Sequence, residues 1–350
     1  MENILDVKSQ QILELVEANP NLSSSEIHQN LEFDVELITT KRNLAKLVSS
    51  NLLSTVGSGR GTKYVISPEY KLFMPINLDD YFKNDVDQRQ INKRFNHALI
   101  KEILSDVTVF SSQELEHLSE LQKSYEQNIS NLPKSIYSKE LERLAIDLSW
   151  KSAQIEGNTY SLLETEQLLK ESKEAVGKKK DEAVMLINHK VALDFIIDEP
   201  DYISPLSNSK IENIHSLLIS DLGIESNIRR RLVGITGTTY TPLDNEFQIG
   251  EALEAMCKLV NNRKSVFEKA FLILLLISYI QPFNDGNKRT ARIVSNAILI
   301  HNQHCPLSFR TVDSLDYKKA MLLFYEQNNI TAFKKIFIDQ YEFAVNTYFL

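Results

Sequence analysis

Ten consecutive apolar residues, FLILLLISYI from Phe271 to Ile280, stand in the last third of this 350-residue chain. A helical span of a bilayer core needs about 20 residues, so the run is too short to cross one. It is expected instead as a helix with no face turned to water, which other elements must wrap on every side. The remaining sequence supplies them. Apolar residues recur at helical spacing over 12–16, 141–155, 183–197, 211–222, 252–260, 291–300, 317–325 and 333–349. Glycine and proline number only 10 and 9, about half the usual share, which favours helix over loop. No strand–helix alternation and no solenoid repeat is visible. The expected fold class is mainly α.

With 43% hydrophobic residues the chain can bury a core, so a disordered or low-complexity architecture is excluded. Cys257 and Cys305 have neither metal-ligand spacing nor the numbers of a disulfide framework. Reduced thiols in a cytoplasmic protein are the expectation, and the first ten residues, MENILDVKSQ, lack the apolar centre of a signal peptide. The net charge of −8 argues on average against a nucleic-acid partner. That average hides a split. Residues 1–38 carry eight acids and one base, whereas 39–64 carry Lys41, Arg42, Lys46, Arg60 and Lys63 and no acid.

The same stretch has a readable order. SQQILELVEANP gives one amphipathic helix stopped by Pro20, SSSEIHQNL a second with Ser23 or Ser24 as N-cap, and ELITTKRNLAKLVSSNLL a third. Leu37, Leu44, Leu47 and Val48 of the third share one face, with Thr39, Thr40, Arg42, Asn43 and Lys46 turned outward. LSTVGSGRGTKYVIS then reads as two strands around a glycine-rich tip. Residues 57–63 lack the spacing of a phosphate-cradling P-loop. Three helices and a hairpin resemble a winged helix-turn-helix, which implies a domain over 1–68 that meets DNA through Lys41, Arg42, Lys46, Arg60 and Lys63. A linker is expected over 69–94, and a helical domain over 95–350.

Directly after the apolar run stands QPFNDGNKRTAR, residues 281–292. A loop entering a helix through Gly286 and Asn287 turns backbone N–H groups and the positive end of a helix dipole toward an anion. Asp285 is an oxygen ligand suited to Mg²⁺, and Lys288, Arg289 and Arg292 add cations. Together they describe a site for a metal-nucleotide phosphate.

These residues resemble the core motif of the Fic family, His-Pro-Phe-x-Asp/Glu-Gly-Asn-Gly/Lys-Arg-x-x-Arg, at eight of its nine specified positions. The resemblance implies an all-helical Fic domain with a small β-hairpin flap, and AMP transfer from ATP to a protein hydroxyl. ATP, Mg²⁺ and a protein target are the implied partners, with DNA at the N-terminal domain, no membrane, and room for a homodimer. Gly286, Asn287, Lys288, Arg289 and Arg292 would hold phosphates and Asp285 the metal. SAQIEGN, residues 152–158, is similar to the family's inhibitory motif, on a helix around 141–157. The resemblance implies that its Glu156 pairs with Arg292 and crowds the γ-phosphate. RRRLVGITGTTYTP, residues 229–242, resembles the flap, with Thr236, Gly237, Thr238, Thr239 and Tyr240 as target-binding residues.

The departure is Gln281, at the position of the family's catalytic histidine. A carboxamide has no useful basicity at neutral pH, and general-base catalysis is typically worth about 10²–10⁴ in rate. None of His28, His97, His117, His189, His215, His301 and His304 is placed by its sequence position to substitute. Two readings follow: a self-inhibited protein adenylyltransferase of doubtful activity, or a non-catalytic nucleotide-binding transcriptional regulator.

Overall fold

The structure is a computed structural model that describes residues 6–31 and 35–350. It is mainly helical, with one two-stranded sheet among the described residues. The chain divides into two compact units, one running to Ile76 and taking in Gln327–Thr331, the other formed by Asn77–Glu326 and Ala332–Leu350.

The first unit holds α1 (Val7–Ala18), α2 (Ser24–Asn30), α3 (Leu37–Ser49), β1 (Leu53–Val56), β2 (Lys63–Ile66) and α4 (Pro68–Phe73). Its helix starts are set by side chains. The Asp6 carboxylate accepts from Ser9 N–H at 2.8 Å, and Ser23 and Glu26 form a reciprocal capping box. Ile12, Leu13 and Val16 of α1, Ile27 of α2, and Leu44 and Leu47 of α3 close on Leu53 and Ile66 of the hairpin. The strands pair antiparallel from Leu53 opposite Ile66 to Val56 opposite Lys63. Gly57 is required at the tip: its φ is +80°, and a Cβ there would stand 2.9 Å from Gly61 O. Thr40, expected outward, is buried, with its hydroxyl 3.1 Å from His28 Nδ1.

The second unit holds α5 (Leu78–Lys83), a π-turn at Leu99–Ile103 continuing into α6 (Leu104–Asp106), α7 (Ser112–Ser130), α8 (Lys134–Ile155), α9 (Leu162–Glu171), α10 (Lys180–Asp198), α11 (Asn208–Ile219), α12 (Glu246–Asn262), α13 (Val266–Ile280), α14 (Asn287–His301), α15 (Ser314–Gln327) and α16 (Thr331–Val345). The apolar run is α13, and every residue from Phe267 to Ile280 except Lys269 is buried. α14 packs along it, α12 flanks it, and α8, α10 and α11 close around α14. Truncating a buried leucine of such a helix to alanine typically costs about 2–5 kcal/mol.

Residues 69–94, expected as a linker, carry α4 and α5. Ser67 caps α4 with Pro68 at its first turn, and Asn77 caps α5 by accepting from Asp80 N–H at 3.1 Å. The 229–242 segment, expected as a β-hairpin, is extended around a turn at Thr236–Gly237 and forms no ladder within itself. Its recorded strand-like pairing is a single parallel bridge from Thr241 to Arg94. No described helix is long and apolar enough to cross a membrane.

Candidate functional site

The motif loop leaves α13 abruptly. Gln281 takes a left-handed conformation at φ +52°, ψ +58°, and Pro282 follows. Such a conformation costs a residue with a side chain roughly 1–2 kcal/mol, so it persists only where the surroundings enforce it. Arg229 enforces it here. Its backbone N–H donates to Pro282 O at 2.9 Å, and its Nε to Gln281 O at 2.6 Å. The remaining guanidinium nitrogens donate to Arg231 O and Leu243 O, so a wholly buried cation is spent on backbone carbonyls. Sequence reasoning missed this role, reading the arginine only as part of the flap.

Both ends of the Gln281 side chain are occupied. Its Nε2 donates to Ser278 O at 2.6 Å, and its Oε1 accepts from Asn287 Nδ2 at 2.9 Å. Asn287 also gives a second bond to Phe283 O and accepts from Phe283 N–H, which closes the loop onto the start of α14. Gly286 turns the chain into that helix at φ +79°, and a Cβ there would stand 3.2 Å from the His215 ring. His215 stacks on Phe283 with ring centres 3.6 Å apart and planes within 5°. Nothing in the sequence pointed to His215, because α11 is far from the motif along the chain. Burial, with Arg289 nearby, pushes its imidazole down to about 3, so the floor of the turn is uncharged.

A cavity of about 460 Å³ opens over this loop. Gln281, Asp285, Gly286, Asn287, Lys288 and Glu156 line one side; Val233–Thr236 form a wall, and Leu315, Lys318, Met321, Leu322 and Tyr325, spaced along one stripe of α15, form another. The expected residues divide. Lys288 faces the cavity, whereas Arg289 and Arg292 are buried beside and beneath it. Arg289 reaches Asp285 Oδ2 and Leu218 O, each at 3.4 Å. The Asp285 side chain is two-thirds exposed.

Arg292 and Glu156 come together as expected. Arg292 Nη2 donates to Glu156 Oε1 at 3.0 Å, and Lys288 Nζ to Glu156 Oε2 at 3.2 Å. Burial alone would raise the Glu156 carboxyl, but Arg292 and Lys288 outweigh it and hold it below the ordinary value. Arg292 also binds the end of α8 twice more, through Nε to Ser152 Oγ at 2.8 Å and Nη2 to Ser152 O at 3.1 Å. The Ser152 hydroxyl is in turn 2.6 Å from His189 Nε2. Gly157, at φ +101°, turns the chain out of the helix just after the clamp.

Of the expected flap residues, Thr236 lines the cavity. The Gly237 carbonyl accepts from Arg89 Nη2 at 2.7 Å, and Thr238 Oγ1 accepts from Tyr240 N–H. Thr239 has no recorded contact with the cavity. Tyr240, expected on the target-facing side, is turned into the core. It stacks on Tyr279 at 4.9 Å and donates its hydroxyl to Tyr279 O. The alternation of an extended segment accounts for this inward turn.

In the first unit Lys41, Arg42 and Lys46 are exposed on α3. Lys63 is half taken up by Glu26, 2.8 Å away. The side chain of Arg60 lies outside what the structure describes, as do the acids Glu2, Glu32 and Asp34.

Residues 205–299 match the model of the Fic/DOC family. The chain therefore carries a Fic/DOC domain, built around α11–α14. Solved structures agree on the fold. Fic-1 of C. elegans (residues 134–508) superposes with a TM-score of 0.56 at 21% identity, covering 67% of this chain and 71% of that one. A Fic-domain signaling protein of Bacteroides thetaiotaomicron gives 0.56 at 18% identity, over 66% and 94%. A Fic family protein of Desulfovibrio desulfuricans gives 0.56 at 18%, over 68% and 74%.

Proposed function

We propose that the second unit is a self-inhibited Mg·ATP site of the Fic type, and that its capacity for AMP transfer is severely reduced by Gln281. The observation that carries the reading is the Glu156 clamp on Arg292 and Lys288 at the edge of the cavity. A carboxylate that neutralises two cations beside an anion-binding helix start excludes the terminal phosphate of a nucleotide by charge and by volume.

The donor set fits the nucleotide. α14 runs fifteen residues from Asn287, so its start offers free N–H groups and a dipole end. Lys288 adds charge, and the apolar side chains of the α15 stripe suit a base. Asp285, exposed at the loop, would hold Mg²⁺ through one carboxylate together with the phosphates, the mode that ion favours. The metal would supply charge neutralisation on the phosphates. Gln281 would orient a target hydroxyl by hydrogen bond and could not remove its proton. Ser152, His189 and Arg292 would keep α8 seated until Glu156 withdraws.

Calorimetry with Mg·ATP on this chain and on Glu156→Gly tests the reading. Binding tighter in the variant is the expected result, and no binding by either sinks it.

A second reading concerns the first unit. The exposed bases of α3, on an otherwise acidic unit of three helices and a hairpin, favour DNA contact through α3 and make the chain a nucleotide-responsive regulator. Salt-dependent binding to duplex DNA at low ionic strength is expected; its absence would leave the unit as a protein-contact module.

A further inference from the structure

The stretch between α5 and the π-turn, 84–98, is the part of the second unit poorest in regular structure, yet it makes a concentrated set of contacts with the cavity wall. Arg89 is at their centre. Its Nη1 stands 3.3 Å from Glu326 Oε1 at the end of α15, with side-chain exposures of 5% and 0%. Its Nη2 donates to Gly237 O at 2.7 Å, and its guanidinium lies 4.8 Å from the Phe82 ring centre. Tyr81 donates its hydroxyl to the other Glu326 oxygen at 2.7 Å, and Asn92 N–H donates to Glu326 O at 2.9 Å. A few residues on, Thr241 N–H donates to Lys93 O at 2.9 Å, and Arg94 forms the parallel bridge with Thr241.

Gly237 and Thr241 are four residues apart on an extended segment, so their backbone groups point to the same edge. Both are satisfied by 89–94. The edge of the 236–241 segment thus carries a strand-like partner from its own chain, pinned at one end by a buried ion pair. The opposite side of the same segment begins the cavity wall at Val233–Thr236. Neither the ion pair nor the bridge is needed by the nucleotide-binding loop, which Arg229 and Asn287 already hold.

We infer that 89–94 is a resident edge partner that positions the 233–241 wall over the cavity through Arg89, and that an extended segment can join this edge only after 89–94 leaves it. Main-chain bonds to Gly237 and Thr241 provide the attachment, and the buried Glu326 carboxylate selects an arginine. The partner that fits is therefore an extended segment bearing an arginine. The functional consequence rests on the nucleotide-site reading, but the structural claim does not.

Hydrogen–deuterium exchange on the full chain without nucleotide tests it, so failure here is distinct from failure to bind ATP. Arg89→Ala is expected to speed exchange at 236–241 on the order of tenfold or more, with 281–292 unchanged. Glu326→Gln should act in the same direction. Arg89→Lys keeps the charge but cannot reach both Glu326 and Gly237 O, so it should fall between the two. A synthetic peptide of residues 85–95 added to Arg89→Ala should slow exchange at 236–241 again, and the same peptide with its arginine replaced by alanine should not. Unchanged exchange at 236–241 in folded Arg89→Ala, uniform acceleration across the second unit, or equal protection by both peptides would overturn the inference.

Discussion

The carboxamides of Gln281 and Asn287 are joined by a 2.9 Å hydrogen bond, so the residue at the family's histidine position is tied to the loop it belongs to. Gln281→His in a Glu156→Gly background is expected to raise AMP transfer by about 10²–10⁴. Transfer of label from α-labelled ATP to protein, compared across both single variants and the double, is the measurement. Equal label with Gln281 would show that the proton leaves by another route.

The three bonds from Arg292 to α8 are unequal in kind, since one is an ion pair and two go to Ser152. Glu156→Gly should tighten nucleotide binding within the range of typical coupling energies, about 5–150-fold. Ser152→Ala should give a smaller gain, because the clamp carboxylate stays. Titration calorimetry separates them, and the reverse order would move the clamp from Glu156 to the serine.

His189 and His215 are both fully buried. Burial, followed by Arg292 and Arg289, depresses His189 well below the ordinary histidine value; burial and then Arg289 depress His215. An unfolded chain binds protons at these positions below pH ~6.5 that the folded chain refuses, so stability falls as pH drops through that point. The slope contributed is up to about 1.4 kcal/mol per pH unit for each ring. Denaturant melts between pH 7 and 5 read it. His215→Gln should flatten the slope whatever it does to stability at pH 7.

On the first unit, the Lys63 ammonium, then the Ser23 hydroxyl and backbone, hold the Glu26 carboxyl down to about 2. The pairing is complete above the ordinary glutamate range and is lost as pH falls toward 2. NMR titration of Glu26 should show this, with Lys63→Ala moving the midpoint upward. A lysine so engaged is a poor phosphate contact. If α3 meets DNA, Arg42→Ala with Lys46→Ala should reduce the log–log salt slope by about 2, and Lys63→Ala should change it less.

The periodic, apolar part of the fold was legible in the sequence, and α13 most of all, because burial on every face leaves no polar residue to blur the pattern. The site loop was legible because the Pro282–Arg292 motif is contiguous. What escaped has a common physical cause. α7 is largely charged and presents only Leu118, Leu121, Gln122 and Tyr125 to the core, so its capping box at Ser111 and Glu114 was the stronger signal. Arg229, His215 and Arg89 act through backbone carbonyls, a stacked ring and a single buried carboxylate that are remote in sequence. Tyr240 went astray through side-chain alternation that no short motif specifies.

α13 has no face turned to water, and the motif loop is mounted directly on its end. A base mounted this way is costly to shift, so chemistry and recognition at the site are separable by substitution. Replacing the first loop residue removes a proton acceptor without moving the helix start that meets phosphates. A lineage carrying such a domain can give up catalysis in a single step and keep a nucleotide sensor, and can recover catalysis as simply, because the scaffold records neither change.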